Sequence, residues 1–384
     1  MALAPLALVL TEEQELLQQT AREFVAERAP VSHLRALRDA DDRDGFSRAL
    51  WREMAELGWA GIIHPERFGG IELGYADLGV VLEECGRTLV PEPFLSTVVL
   101  GGEIVRRGAP ADSQEKLLSG VCSGQILLAL AFQEQGRFDP YAVTTKAEPA
   151  GSGFRLTGRK CFVLDGHVAD QLIVVARTAG GTGERAGLSL FLVPPDSRGL
   201  GVRRTVMVDS RNAADVSLDG VEVSRSQLVG ELDRAAEILD PVFDRAAIAL
   251  SAQLLGVLGE AFDRTIAYLK EREQFDVKIG SFQALKHRAA QMFAEVELSR
   301  SVVLDALRAI DENRPELPRL ASLTKARVSE TAGLVTREAI QMHGGIGMTD
   351  EHEIGFFLKR ARAAELTLGD ASYHRDRYAR LCGY

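Results

Sequence analysis

The feature that most constrains this chain is a hydrophobic pattern that changes its period twice. Up to about Gly124 apolar residues recur at helical spacing, and from about Asp240 they do so again. Between these limits the chain consists of short runs rich in β-branched and aromatic residues, separated by glycine, proline and aspartate. This order predicts an α+β multidomain protein. We expect an N-terminal helical domain over residues 1–124, a middle antiparallel β-domain over 125–231 and a C-terminal helical bundle over 232–384.

Caps and prolines predict where the helices begin. Thr11, followed by two glutamates, is typical of a helix N-cap with acidic residues that suit the helix dipole. Asp240 before Pro241 is typical of a cap followed by a first-turn proline, which predicts a helix of about 30 residues from that point. The other predicted helices cover about 43–57, 75–88, 92–119, 281–312 and 317–343.

Six short runs in the middle of the chain predict strands. Their spacing is typical of an antiparallel sandwich or barrel, and this unit ends near Gly230. The runs are QILLALAF, FRLTGRKCFVL, DQLIVVAR, LSLFLVPP, GVRRTVMV and ADVSLDGVEV.

Composition and charge exclude several classes of protein. With 384 residues, 46% of them hydrophobic, the chain can bury a sizeable core. A formal charge of −10 opposes wrapping a nucleic acid, because that affinity comes largely from Lys and Arg at phosphates. The start, MALAPLALVL, lacks the basic flank of a signal peptide and is shorter than the roughly 20 residues of a membrane span. We therefore expect a cytoplasmic protein without a membrane or nucleic-acid partner.

The cysteines and histidines do not indicate a metal site. No CxxC pair is present, so we expect neither a zinc cage nor a disulfide framework. His343 and His352 have no third ligand at metal spacing, and no HExxH or GxSxG motif occurs. The four cysteines lie far apart, at Cys85, Cys122, Cys161 and Cys382.

Two polar segments in the C-terminal part are ambiguous when read alone. QMHGGIGMTDE ends a predicted helix, and a glycine pair there most often only terminates the helix in a left-handed cap. It is not a dinucleotide fingerprint, because that motif follows a strand. REQFDVKIGSFQ, residues 272–283, reads by itself as a polar connection between two helices.

Taken together, these segments resemble the signatures of the acyl-CoA dehydrogenase family. LWREMAELGWAGIIHPERFGG resembles the family's N-terminal signature, REQFDVKIGSFQ its R-x-x-F-G…Q segment and AIQMHGGIGMTDE its Q-x-x-G-G segment. The three matches occur in the family's order and spacing, and the helical, β, helical order is also that of the family. The resemblance covers the whole chain and implies a flavoprotein.

The resemblance implies that FAD is bound non-covalently across a subunit interface. Arg272 matches the arginine that reaches the pyrophosphate, and the Q-x-x-G-G backbone matches the segment that receives the ADP half of a neighbouring subunit's flavin. Glycine lets a diphosphate approach the main chain, and arginine offers paired donors to phosphate oxygens. The implied cofactor-binding residues are Arg272, Gln274, Phe275, Phe282, Gln283, Gln341, Met342, Gly344 and Gly345.

The resemblance also implies partners. These are an acyl-CoA substrate, an acceptor of the electron-transfer flavoprotein type, and further subunits. A site shared between subunits predicts a tetramer, either of this chain alone or mixed with a homologous subunit.

The chain departs from the family in the β-domain and in the turn after the long helix. FQEQGRFD, residues 132–139, stands where members carry TEPxxGSD. The flavin-covering W-x-T resembles Phe162 and Leu164 here, so an aromatic ring is kept and a hydroxyl is lost. Asp276 replaces the glycine after Phe275.

The larger departure concerns the catalytic base. Counting without gaps from the glycine pair, the family's common glutamate position falls on Leu368, and its alternative position falls on or near Ala246. Neither side chain can take a proton.

Two nearby carboxylates are candidate bases. Asp244 lies 18 residues before Phe262, which is five helical turns, so it should share the apolar stripe of the long helix. Its alternative explanation is a first-turn acid that suits the helix dipole. Asp370 is the second candidate, and its favoured explanation is a helix-start cap.

The predicted activity is formation of an α,β double bond in an acyl-CoA, with Asp244 as the base. Loss of both usual glutamates indicates an altered pocket, which would suit a branched or ring-bearing acyl chain. Two alternatives remain open. One is a flavin-binding but catalytically silent subunit of a mixed assembly, and the other is a flavin monooxygenase on the same fold, which needs no such base.

Overall fold

The computed structural model describes residues 9–384. The apolar start at residues 1–8, predicted above not to be a targeting segment, therefore lies outside the described residues. The chain divides into two compact units. Unit 1 comprises the described part of Met1–Arg35 together with Gly74–Val90 and Ala247–Tyr384, and unit 2 comprises Ala36–Leu73 and Pro91–Ala246. The domain limits given above remain a prediction.

Helices dominate the first third of the chain, as predicted. Thr11 caps the first helix, and its hydroxyl and the Gln14 side chain form a reciprocal capping box. Ser47 caps α3, so the helix predicted over 43–57 begins later than expected. The helices are α1 (Glu12–Arg28), α2 (Val31–Asp39), α3 (Arg48–Glu56), α4 (Tyr75–Arg87), a π-helix (Phe94–Gly101), α5 (Gly102–Gly108) and α6 (Ala111–Cys122).

The single helix predicted over 92–119 is wrong, because three helical segments occupy this stretch. Pro110 disfavours helical backbone at the residue before it, and Ala109 is extended with ψ 149°. This break ends α5 and lets α6 start in a new direction. The π-helix that precedes α5 is buried throughout.

The middle of the chain forms one eight-stranded sheet with the strand order β6-β7-β3-β2-β4-β5-β8, and β1 pairs with β4 off this path. Most pairs are antiparallel, as predicted, but β1 and β2 both run parallel to β4, so the sheet is mixed. The strands are β1 (Leu128–Ala131), β2 (Lys146–Ala150), β3 (Gly153–Leu164), β4 (Gln171–Arg177), β5 (Leu188–Val193), β6 (Leu200–Val206), β7 (Asn212–Ser224) and β8 (Leu228–Val229).

Six of these strands coincide with the predicted runs, and β2 and β8 were missed. Strand β2 reads KAEPA and carries a proline and two charges, so it has no apolar alternation to recognise. Strands β4 and β5 are buried on both faces, which explains their continuous apolar sequence. The inward side chains of β1, β2, β3, β4, β5 and β7 share one apolar core.

The C-terminal part is helical apart from one short hairpin. Helix α9 packs against α8, α10 and α11, and α4 packs against α1 and α8. The elements are α7 (Ala236–Glu271), β9 (Glu273–Gln274), β10 (Val277–Lys278), α8 (Gln283–Asp311), α9 (Leu317–His343), α10 (Ile354–Leu366) and α11 (Ala371–Leu381).

The predicted start of the long helix at Asp240 is wrong. Helix α7 begins at Ala236 and contains Pro241 in its second turn. The start lies earlier because Ala235, Ala236 and Leu239 are buried, and the Leu239 amide already donates to the Ala235 carbonyl. Pro241 has no amide hydrogen, so the helix lacks only one backbone hydrogen bond at this position. Among the described residues α7 alone is long and apolar enough to cross a membrane, and 94% of its most apolar window is buried inside the protein.

Candidate functional site

The turn that follows α7 presents the arginine segment to the surface. Strands β9 and β10 form a two-residue hairpin, in which Phe275 and Asp276 both have positive φ, 58° and 59°. This is the backbone of a type I′ turn. Phe275 is 87% exposed. Arg272 is also exposed and makes no ion pair with any residue that the structure describes.

Aromatic rings and amides flank this turn. Phe275 and Phe282 meet edge to face, with their ring centroids 6.1 Å apart. Phe282 immediately precedes α8, and Gln283 is the exposed first residue of that helix. Gln274 is exposed as well. The segment therefore offers a cation, amides and ring surfaces to a ligand.

The glycine segment at the end of α9 exposes its backbone. Gly344 has φ 63° and ψ −141°, and its amide donates to the Gln341 carbonyl, so the helix ends in a positive-φ conformation that favours glycine but is not the left-handed cap expected from the sequence. A Cβ added at Gly344 or Gly345 would meet nothing within 4 Å. At Gly347, in contrast, a Cβ would lie 2.8 Å from a backbone oxygen. Met342 is only 5% exposed and is a core residue of the bundle, so its side chain does not face this open space.

A ring contact joins the two segments. The Tyr268 ring, four residues before Arg272, stacks on His343, with the ring centroids 4.4 Å apart. His343 directly precedes Gly344. The ends of α7 and α9 are therefore neighbours within unit 1, although no hydrogen bond joins Arg272 to Gly344 or Gly345.

These features fit FAD. A pyrophosphate needs a cation, which exposed Arg272 offers, and it needs close main-chain approach, which the open side of Gly344 and Gly345 allows. The individual contacts remain a prediction.

In the β-domain, Glu134 of the FQEQGRFD segment is held by Lys160 of β3. Lys160 Nζ donates to Glu134 Oε1 at 2.6 Å and to the Phe132 carbonyl at 3.2 Å. Glu134 also accepts from the Thr144 and Thr145 amides at 2.8 and 3.0 Å. Burial acts to raise the pKa of Glu134, but the charge and hydrogen bond of Lys160 outweigh it and lower the pKa to about 2. Burial lowers the pKa of Lys160 to about 8 against the pull of Glu134, so both groups are ionised at neutral pH.

Strand β3 turns an aromatic ring outward next to this pair. The register of β3 against β7 shifts between Lys160 and Val163. Phe162, inside the shift, has φ 51° and is 48% exposed. Leu164 is back in register, opposite Ala213. The bulge thus presents a ring where the resemblance places the aromatic cover of the flavin.

Three aromatic rings pack against one another, and one of them belongs to the residue before the candidate base. Phe132, Phe138 and Phe243 contact one another, with centroid distances of 5.0 to 5.8 Å. Asp244 follows Phe243 and is 5% exposed. Because α7 begins at Ala236, Asp244 is its ninth residue, so the explanation of Asp244 as a first-turn acid is wrong.

Asp240, one turn before Asp244, is likewise not a cap. Its carboxylate accepts hydrogen bonds from the Tyr141 hydroxyl and the Arg185 guanidinium. Asp240 and Asp244 lie four residues apart and thus on the same side of α7.

The two positions that the family uses for its base are apolar and buried. Leu368 is 3% exposed in the connection between α10 and α11, and Ala246 is fully buried. Asp370 accepts from the Tyr373 amide at 2.8 Å and caps α11, which confirms its reading as a helix-start residue.

Lys160 and a second buried lysine, Lys325 of α9, were missed by sequence reasoning. Lys160 is in phase with the inward residues Phe154 and Leu156 of its strand. Lys325 lies on the buried stripe that also carries Ala321 and Val328. Each lysine stands at a position where the repeating pattern of buried residues predicts an apolar side chain, and this is the sequence signal that identifies both.

Among the described residues there is no group of three or more His, Cys, Asp or Glu side chains that could hold a metal ion.

Comparison with known proteins agrees with this arrangement. Models of the acyl-CoA dehydrogenase N-terminal, middle and C-terminal domains match residues 11–125, 130–221 and 237–382. This confirms the predicted order of a helical, a β and a helical domain.

Individual proteins match over nearly the full length. Probable acyl-CoA dehydrogenase YngJ of Bacillus subtilis is 29% identical over 95% of this chain and 97% of its own length. Acyl-CoA dehydrogenase IpdE2 of Mycolicibacterium smegmatis is 30% identical over 94% and 96%. The solved structure of a variant of the Tcur3481-Tcur3483 steroid ACAD is 33% identical with a TM-score of 0.86, over 97% of this chain and 98% of that chain. The chain therefore belongs to the acyl-CoA dehydrogenase family of FAD-dependent oxidoreductases.

Proposed function

We propose that this chain takes part in the FAD-dependent formation of an α,β double bond in an acyl-CoA thioester. The observation that carries the proposal is the exposed Arg272 turn and the open Gly344–Gly345 backbone on adjacent helix ends in a member of this family. Bound FAD supplies the oxidant, because it accepts the β-hydrogen of the acyl chain as a hydride. The protein must then supply a base for the α-proton, which the thioester makes acidic.

Asp244 is the proposed base. It is buried in the third turn of α7, and it directly follows Phe243, whose ring packs against Phe132 and Phe138. The helix dipole does not account for an acid at this position, since its effect is confined to the first turn. A base for the α-proton needs a carboxylate shielded from water, and Asp244 meets that requirement.

Anaerobic addition of acyl-CoA thioesters to the FAD-loaded protein tests this proposal. Bleaching of the flavin absorbance by a thioester supports the dehydrogenase. Asp244→Asn should then slow bleaching by about 100-fold or more, as expected for loss of a general base. Asp370→Asn is the matched control, because asparagine also caps a helix, and it should bleach at the wild-type rate. Normal bleaching in Asp244→Asn would show that Asp244 is not the base.

A second candidate function is that of a flavin-binding subunit without a base of its own. Leu368 and Ala246 favour it, because both family base positions are buried and apolar. The similar steroid ACAD is also named for two proteins, Tcur3481 and Tcur3483. In this case the flavin bleaches only when a homologous second subunit is present, and Asp244→Asn has no effect on the mixture.

We further propose a branched or ring-bearing acyl chain and an acceptor of the electron-transfer flavoprotein type. Similarity to a steroid ACAD supports the ring-bearing class. A thioester panel with straight, branched and ring-bearing chains decides between the substrate classes. Reoxidation of the bleached flavin by an electron-transfer flavoprotein tests the acceptor, whereas oxygen insertion into a substrate would instead identify a monooxygenase.

A further inference from the structure

Lys325 is a fully buried lysine on α9 that holds the connection between α10 and α11. Its Nζ donates to the carbonyls of Glu365 and Gly369, each at 2.9 Å, and to the Ser329 hydroxyl at 3.2 Å. The two carbonyls lie on either side of Leu368. One ammonium group on a neighbouring helix therefore bonds the chain both before and after that residue.

The connection held in this way is strained. Leu368 has φ 60° and Gly369 has φ 98°. Left-handed backbone is unfavourable for a leucine, so the surrounding structure must impose it. His374 provides a further hold, because its Nε2 lies 2.9 Å from the Leu368 carbonyl. The carbonyls of Glu365, Leu368 and Gly369 all meet side-chain nitrogens.

A lysine suits this place physically. The last carbonyls of α10 have no partners inside the helix and lie at the negative end of its dipole. An ammonium group carries three donors, and here it has three acceptors. Burial lowers the pKa of Lys325 to about 7, while Glu365 and Asp370 act to raise it. Burial, together with the charge of Lys325, lowers the pKa of His374 to about 3, so His374 is neutral and donates from Nε2.

We propose that Lys325 is a positioning residue that fixes the connection Thr367–Asp370 and thereby the side chain at position 368, where the family's base position falls. The proposal rests on the proposed function, since position 368 matters only if a thioester is bound. Lys325 touches neither substrate nor cofactor in this role. It acts through Leu368, whose apolar side chain shapes the site in this protein.

The decisive comparison is Lys325→Met against Thr324→Val. Methionine has a similar length and no donors. Thr324 is the adjacent buried residue of α9, and its hydroxyl bonds the Val302 carbonyl of α8 at 3.3 Å rather than the connection. Hydrogen exchange is measured on peptides covering 363–374, at a temperature where both variants are folded. We expect exchange at least tenfold faster in Lys325→Met and unchanged exchange in Thr324→Val.

The second readout is specific to the site. FAD-loaded protein is titrated with a CoA thioester, and the flavin difference spectrum is recorded. We expect Lys325→Met to keep the wild-type affinity for FAD and to bind the thioester at least tenfold more weakly. A general loss of stability would lower both affinities.

Each outcome decides the proposal. It is overturned if exchange in Lys325→Met stays within twofold of wild type, or if Thr324→Val accelerates exchange equally. It is also overturned if the connection opens and the thioester titration does not change. If the FAD-loaded wild type shows no spectral response to any thioester, the proposed function fails, and the exchange comparison still decides whether Lys325 fixes the connection.

Discussion

At the residue scale, the ion pair of Glu134 and Lys160 shows how a departure from a family motif is accommodated. The Lys160 side chain is fully buried and the Glu134 side chain is 7% exposed, so neither charge is solvated by bulk water. Four further hydrogen bonds stabilise the pair. Glu134 accepts from the Thr144 amide and hydroxyl and from the Thr145 amide, and Lys160 donates to the Phe132 carbonyl. A buried pair of this kind is costly to break on one side, because the remaining charge loses its partner while it stays buried.

We therefore expect Glu134→Gln to lower the free energy of unfolding by about 3 kcal/mol, since it leaves the Lys160 ammonium buried without a carboxylate. Urea denaturation at pH 7 measures the change. The double variant Glu134→Gln with Lys160→Met should recover part of the loss, because it removes the isolated charge. Equal stability of Glu134→Gln and the wild type would show that the pair is not stabilising.

A second residue-scale prediction concerns His64, which is fully buried. Neither ring nitrogen makes a hydrogen bond of ordinary geometry, although the Val98 backbone weakly favours the charged ring. Burial lowers the pKa of His64 to about 4, Glu103 acts to raise it, and Arg106 lowers it further. The unfolded chain therefore binds a proton that the folded chain does not, between about pH 6.5 and pH 4.

Folding stability should accordingly fall as the pH is lowered through this window, and His64 should account for up to about 3 kcal/mol of the loss. The contribution is complete above pH 6.5 and absent below about pH 4. Urea denaturation across pH 4–7 tests this. His64→Leu should flatten the slope, and an unchanged slope in that variant would assign the pH dependence to other groups.

At the element scale, the β9–β10 hairpin has backbone geometry that its own sequence does not favour. A type I′ turn prefers asparagine and glycine, and here Phe275 and Asp276 occupy the two positive-φ positions. The departure from the family's glycine at position 276 therefore has a structural cost. The hairpin carries Gln274 and follows Arg272, so the conformation of the hairpin affects the proposed flavin contacts.

Asp276→Gly should relieve one of the two strained residues, by about 1 kcal/mol, and should tighten FAD binding by up to about fivefold. Fluorescence titration of the apoprotein with FAD measures the affinity. Asp276→Ala is the control and should weaken binding, because alanine tolerates positive φ less well than aspartate. Weaker binding by the glycine variant would show that the Asp276 carboxylate itself contributes.

Structural features with a local sequence pattern could be predicted from the sequence, and features that depend on residues distant along the chain could not. Helix α9 was predicted because its apolar pattern is long and periodic, and the strands β3 to β7 because they are short runs rich in β-branched and aromatic residues bounded by glycine, proline and aspartate. The start of α7 was not, because Asp240 and Pro241 make a plausible local cap that burial of Ala235 and Leu239 overrides. The flavin segments were found from short motifs. The Lys160 pair and the contacts of Lys325 depend on residues distant along the chain, which no local pattern reveals.

At the scale of the whole molecule, several large apolar side chains are exposed on the proposed flavin-binding segments and on α8 of unit 1. Phe275 is 87% exposed and Met348, beside the glycines, is 79% exposed. On α8, Phe293 and Leu298 are each 55% exposed, although Met292 on the same helix is buried. Where such side chains form a contiguous patch, the patch usually marks a contact with another protein.

We therefore expect the protein to assemble, as a tetramer of this chain or with a homologous subunit. Light scattering at micromolar concentration measures the mass, and Phe293→Asp should lower it, because a charge on exposed α8 opposes burial in an interface. Val208→Asp, at a residue of unit 2 that is 61% exposed, is the control and should leave the mass unchanged. A purified wild type that remains monomeric, alone and with a homologous subunit, would mean that the flavin site is completed within one chain. In that case Arg272 and the Gly344–Gly345 backbone of one chain would have to bind the same FAD. Arg272→Ala and Gly345→Val would then each weaken the binding of one FAD per chain.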